Sequence, residues 1–146
     1  MSEGVTEYNL RGMERLPMSD TLKNNLALVT GASKGIGRAI CVELANAGYR
    51  VIINYRSDEA GAAETLALVK NSGSDGRVVQ FDVTDHNATQ DAIEQIIKAD
   101  GAIDTLINNA GITADGLFIM MPRKDWDKVI ETSLNGFYNV TRPVLE

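Results

Sequence analysis

The stretch Thr30-Gly31-Ala32-Ser33-Lys34-Gly35-Ile36-Gly37 follows the apolar run Leu26-Ala27-Leu28-Val29 and opens a helical pattern from Ile36 to Ala47. A strand, a glycine-rich turn and a helix start thus stand in direct succession. A helix N-terminus presents unpaired N–H groups and a partial positive charge to whatever lies in front of it. A pyrophosphate suits that place when no side chain blocks the approach. Gly31, Gly35 and Gly37 remove those side chains, and Ser33, Lys34 and Ile36 complete the loop. The spacing is G-x-x-x-G-x-G rather than the commoner G-x-G-x-x-G. A bland reading, a glycine turn closing an ordinary loop, is weakened by the strand before it and the helix after it.

The chain has 146 residues, enough for one domain with a real core. A net charge of −6 provides no broad basic surface for nucleic acid. Cys41 is the only cysteine and His86 the only histidine, which argues against an internal disulfide and a histidine- or cysteine-built metal site. Cys41 falls on the first helix and is expected to be a buried, inert thiol. No apolar run reaches membrane-spanning length and no signal-peptide core opens the chain, so a cytoplasmic location is expected.

Residues 1–24 carry neither a helical nor a strand period and read as a flexible extension, with Met18 as an alternative start to Met1. From Asn25 the pattern alternates. Leu26–Thr30, Arg50–Tyr55, Arg77–Phe81 and Ala102–Asn108 read as strands. The first helix is expected to bury Ile36, Ile40 and Leu44 and to end at Gly48. Ser57 or Asp58 would cap a second helix reaching about Lys70. Thr84 or Asp85 would cap a third, with Ala92, Ile93, Ile96 and Ile97 as its buried stripe. A single last helix from near Lys124 would carry Trp126, Val129, Ile130, Leu134, Phe137, Val140 and Val144 at helical spacing. Pro143 would kink or break it. Four near-continuous apolar strands separated by helices predict an α/β, doubly wound parallel sheet of the Rossmann type. Residues 25–146 would form its cofactor-binding part.

Three segments together resemble the short-chain dehydrogenases/reductases: T-G-x-x-x-G-I-G at 30–37, Asp82-Val83 after the third strand, and Asn108-Asn109-Ala110-Gly111 after the fourth. Each sits at the carboxyl end of a predicted strand, where open α/β sheets bind ligands. Within the family, Ile112-Thr113-Ala114-Asp115-Gly116-Leu117 and Asp125-Trp126-Asp127 look like the bacterial 3-oxoacyl-[acyl-carrier-protein] reductase subgroup. The resemblance implies that Gly31, Gly35 and Gly37 admit the cofactor pyrophosphate. It implies that Asp82 bonds the adenine amino group beside Val83, unless Asp82 merely caps the third helix. Asn108 would tie the fourth strand to its neighbours, while Asn109, Ala110 and Gly111 would pass close to the adenosine ribose.

Cofactor choice follows from charge. A selector of NAD places a carboxylate at the end of the second strand. Here Tyr55, Arg56 and Ser57 stand there, and Arg56, Ser57 and Lys34 suit a 2′-phosphate. NADP(H) is therefore the expected cofactor.

The resemblance also marks two departures. The family's Ser and Tyr-x-x-x-Lys, where the Lys tunes a phenol whose free pKa of about 10 makes it a poor base, have no counterpart in residues 1–146. Ser133 stands where the family writes its catalytic Asn, in Thr132-Ser133-Leu134-Asn135-Gly136; a small polar packing residue is the alternative reading. Asn135 lies on another helix face. The chain is accordingly expected to be the N-terminal part of a longer reductase, with further strands absent, and inactive alone. For the complete protein the resemblance implies NADPH-dependent reduction of a 3-oxoacyl thioester carried by acyl carrier protein or CoA, in a homo-oligomer, a tetramer in the family. The alternatives are a dehydrogenase for another secondary alcohol or a non-catalytic NADP-binding module. In the loop Thr113–Arg123, Leu117, Phe118, Ile119, Met120 and Met121 form the only candidate substrate wall, with interface or core as equal alternatives.

Overall fold

A computed structural model describes residues 25–146. The expected extension at 1–24 lies outside the described residues. Four parallel strands, β1 (Leu26–Val29), β2 (Arg50–Tyr55), β3 (Gly76–Gln80) and β4 (Thr105–Ile107), form one sheet in the order β3-β2-β1-β4. Leu28 is in register with Ile52 on one side and Leu106 on the other, and Ile53 with Val78. Helices α1 (Gly35–Asn46), α2 (Glu59–Asn71) and α3 (His86–Asp100) connect the strands. After β4 come a short 3-10 turn (Phe118–Met120), α4 (Arg123–Ile130), a π-helical turn (Glu131–Asn135) and α5 (Gly136–Leu145). This is the doubly wound α/β arrangement expected from the sequence.

The two faces of the sheet follow from strand alternation. Val29, Val51, Ile53 and Tyr55 pack under α1 and α2 with Cys41, Ala45, Ala62 and Val69. Leu26, Leu28 and Ile52 pack on the opposite face with Phe81, Val83, Ile93, Ile96 and Val140. Asp58 and Asp85 cap α2 and α3, each accepting an N–H from three residues on, Gly61 at 3.0 Å and Ala88 at 3.0 Å. At the amino ends of the strands, Asp100 receives Arg50 at 3.0 Å and Arg77 at 2.6 Å, so one nearly buried carboxylate joins β2 and β3 to the end of α3.

Four local expectations change. In α1 the buried row is Gly37, Cys41 and Ala45, and Ile36 is 75% exposed. Gly37 sits against the glycine loop, which turns that row toward the sheet and leaves Ile36 about a quarter-turn away. Ile40 and Leu44 still pack against the core. In α3, Ile97 is exposed while Thr89, Ile93 and Ile96 are buried. Strand β4 is shorter than 102–108. Beyond Ile107 the N–H groups of Asn109 and Ala110 bond to the Thr30 hydroxyl, and the ladder ends.

The last helix is not one stripe. The π turn adds a residue to the helical cycle and shifts the phase of the turns after it. Thr132, Gly136, Asn139 and Val140 are the buried residues of this segment, while Leu134 and Phe137 are exposed, as is Trp126 before the π turn. Gly136 is required there because a Cβ would come within 2.8 Å of Val83 Cγ2. The helix continues through Pro143 to Leu145.

Burial pushes the Cys41 thiol up from its ordinary 9.0 to about 12. The fold thus favours the neutral thiol, whereas the unfolded chain ionises near 9.0. That contribution to stability is whole below the unfolded value and is lost as pH rises through 9 toward 12. Denaturant titrations at about pH 8 and about pH 10.5 should show a loss of stability that is smaller in Cys41→Ala. Native protein should resist alkylation by iodoacetamide until unfolded.

Candidate nucleotide-binding site

At the carboxyl ends of the strands the loops enclose a groove of about 380 Å3. Its walls come from three places: Gly31, Ser33 and Lys34 after β1; Tyr55, Arg56, Ser57 and Asp58 at the end of β2; and Phe81, Asp82 and Val83 after β3. Ala110, Gly111 and Ile112 close it after β4, with Thr132 from the π turn. The three segments singled out by sequence therefore meet at one site.

The floor is a clasp between β1 and β4. Thr30 Oγ1 accepts the N–H groups of Asn109 at 3.0 Å and Ala110 at 2.9 Å. Asn109 Nδ2 returns to the carbonyls of Thr30 at 2.9 Å and Gly31 at 3.0 Å. Asn109, not Asn108, thus ties β4 to β1; Asn108 reaches Thr141 on α5 at 3.1 Å. The Asn109 side chain is committed to this bracing, and the groove wall beside it is Ala110 and Gly111.

The clasp explains the glycines. A Cβ on Gly31 would lie 2.9 Å from Ala110 Cα, and its φ is +61°. A Cβ on Gly37 would lie 2.6 Å from both Asn109 Nδ2 and the Gly31 carbonyl oxygen. Gly37 thus serves loop packing, while Gly35, at φ +57° with nothing within 4 Å of a Cβ, keeps the space before the helix open. The loop carbonyls are held elsewhere. Thr65 Oγ1 donates to Ala32 O at 2.9 Å, and Arg38 Nη2 donates to Ser33 O at 2.6 Å. The first-turn N–H groups of α1, including that of Ile36, have no intrahelical acceptor. A loop with anchored carbonyls and open amides suits an anionic ligand.

Asp82 forms a local turn, its Oδ1 accepting the N–H and hydroxyl of Thr84 at 3.0 and 2.8 Å. The helix cap is Asp85, so capping α3 does not account for Asp82. Asn139 is buried on α5; its Nδ2 donates to Val83 O at 2.9 Å and its Oδ1 meets His86 Nδ1 at 3.2 Å. These bonds fix the wall formed after β3. Arg56 is exposed at the groove, and its carbonyl accepts Gln80 Nε2 at 3.0 Å. Among the described residues no carboxylate pairs with it.

Ser133 is exposed and borders a small cleft of about 80 Å3 with Thr30, Val83, Asn108, Ala110 and Phe137. Asn135 turns away and donates to Glu131 at 2.6 Å. A wider recess of about 640 Å3, sharing Arg56, Ile112 and Thr132 with the groove, continues past Lys128 and Asp125. The apolar residues Leu117, Phe118, Ile119 and Met120 are outside these spaces or on a separate shallow pocket, all largely exposed. Among the described residues no helix is long and apolar enough to cross a membrane.

Sequence reasoning misses Thr30, Arg38, Asn54 and Thr65 as builders of the site. Asn54 does carry a signal: an amide beside the apolar run Val51-Ile52-Ile53, where a buried polar group needs partners.

Residues 25–146 match the family model described as short chain dehydrogenase. The chain belongs to this family. It is 42% identical over 113 residues to the 3-oxoacyl-[acyl-carrier-protein] reductase of Staphylococcus aureus, covering 77% of this chain and 46% of the relative. An acetoacetyl-CoA reductase of Rhizobium meliloti is 42% identical over 121 residues, covering 83% and 48%. The chain spans about half the length of these curated relatives. A solved short-chain dehydrogenase/reductase double mutant from Serratia marcescens superposes with a TM-score of 0.80 at 27% identity, covering 85% of this chain and 51% of the other.

Substituting the two positive-φ glycines of the loop, Gly31 and Gly35, should separate their roles. Gly35→Ala meets only the conformational penalty, about 1–2 kcal/mol. Gly31→Ala adds the clash with Ala110, on the order of a further 1–3 kcal/mol. Urea melts should therefore rank Gly31→Ala as clearly the less stable; equal losses would refute the close approach.

Proposed function

We propose that the groove binds NADP(H) and that the complete protein reduces a 3-oxoacyl thioester, carried by acyl carrier protein or CoA, to its 3-hydroxyacyl form. The observation that carries the cofactor reading is the β2 end: Tyr55, Arg56 and Ser57 line the groove together with Lys34. At the β2 end the carboxylate is Asp58, whose Oδ1 accepts the Gly61 N–H at 3.0 Å. Two cations beside one carboxylate that is turned into its helix cap favour a 2′-phosphate over a bare 2′-hydroxyl. The substrate reading is supported by the two reductases above, whose names specify 3-oxoacyl and acetoacetyl thioesters.

The residues fit the cofactor by an independent observation, the side-chain-free space before α1 at Gly35. Gly31, Ser33, Lys34, Gly35, Ile36 and Gly37 would hold the pyrophosphate with backbone amides and the helix dipole. Asp82 and Val83 would receive the adenine, and Ala110 and Gly111 the ribose. The bound nicotinamide would supply the hydride. Ser133 stands beside the β4 end and would orient a water or the substrate oxygen with its hydroxyl. Residues 1–146 contain no Tyr-x-x-x-Lys, and no proton donor for the substrate oxygen is assigned among them. Homo-oligomeric assembly and a cytoplasmic location belong to the same proposal.

Arg56→Asp in the complete protein should weaken NADPH binding about ten- to a hundred-fold, corresponding to about 1.5–3 kcal/mol for a charge-assisted pair, and leave NADH binding unchanged or improved. Fluorescence titration with both nucleotides checks this; equal losses would remove Arg56 as the discriminator.

Residues 1–146 alone, purified free of host reductases, should give no turnover of NADPH with acetoacetyl-CoA, because positioned acid catalysis contributes roughly 10²–10⁴-fold. Absorbance decay that scales with protein concentration would refute this and point to a proton donor among residues 1–146.

A further inference from the structure

Asn54, the penultimate residue of β2, is 2% exposed, although it lines the base of the groove. Its Oδ1 accepts the Gly31 N–H at 3.1 Å, at the start of the glycine loop. Its Nδ2 donates to Phe81 O at 3.0 Å, where β3 gives way to Asp82 and Val83. Its main-chain oxygen accepts the Ala32 N–H at 2.8 Å. One residue therefore joins the carboxyl ends of three neighbouring strands, and does so where their loops diverge.

The chemistry permits few substitutes. The site needs a donor facing a carbonyl and an acceptor facing an amide on one short stem. Aspartate has the acceptor but no donor and would face Phe81 O with negative charge. Leucine matches the size and leaves both backbone groups unpaired. Serine cannot span the two partners.

We propose that Asn54 is a positioning residue that sets the distance between the pyrophosphate loop and the adenine wall. This rests on the nucleotide reading of the groove. A dinucleotide touches both walls, so its affinity depends on their separation. Adenosine 2′-monophosphate has no pyrophosphate and meets the glycine loop only through the long Lys34 side chain, so it depends far less on that separation. Asn54 thus acts on ligands that bridge the two walls, a selectivity that support of the fold alone would not produce.

The test compares the full natural chain with Asn54→Leu and Asn54→Ser, at a temperature where circular dichroism shows each variant folded. Affinities for NADPH and for adenosine 2′-monophosphate are read by calorimetry and by NMR titration. The expected result is a loss of about ten- to a hundred-fold for NADPH and little change for the mononucleotide. If Asn54→Leu does not fold, the Asn54→Ser comparison decides. Unchanged NADPH affinity in the variants, or equal losses on both ligands, overturns the role of Asn54 and leaves the nucleotide reading standing. Wild-type protein that binds neither ligand overturns both.

Discussion

The site depends on the Thr30 hydroxyl. By accepting two successive N–H groups from the chain leaving β4, it draws that chain across the end of β1. The Asn109 amide completes the clasp from the other side. Contact at this distance excludes any side chain on Gly31, and the α1 start must then pack a glycine, Gly37, onto the loop. The glycine spacing is thus partly a packing requirement of the sheet. The groove opens where these short side chains leave room.

The outer ring of bonds serves the same end. Thr65 from α2 and Arg38 from α1 occupy the loop carbonyls. Asn139 holds the Val83 carbonyl from α5, and Gln80 holds that of Arg56. Among the described residues no buried side-chain nitrogen or oxygen is left without a partner. Such a network can hold a rigid wall in a partly polar environment because each desolvated group is matched.

Much of this is legible in the chain. The succession of apolar strands and the caps, narrowed to Ser57 or Asp58 and to Thr84 or Asp85, come from local pattern, while 82–83 and 108–111 are picked out with 30–37 by the family resemblance and brought together by α/β topology. The misses are errors of helical phase. Burying Ile36, Leu134 and Phe137 by spacing assumes an unbroken 3.6-residue cycle and a helix oriented by its own apolar stripe. In α1 the orientation is set by Gly37 against the loop. Past α4 the buried row is Thr132, Gly136 and Val140, set by the close packing of Gly136 on Val83, and Leu134 and Phe137 lie off that row. Neither a π turn nor a cross-strand clasp has a short-range signature. The role of Asn109 over Asn108 is hidden for the same reason, since adjacent amides differ only in which neighbour the strand end turns toward.

The Arg50–Asp100–Arg77 cluster lies at the opposite end of the sheet from the groove. Its partners belong to the strand starts and the end of α3, and none of them lines the ligand walls. The sheet therefore has two poles with separate duties: one fastens neighbouring strands, the other presents loops. Sequence change can accumulate in the loops, altering charge and reach around the ligand, while the fastening pole keeps the strands in register.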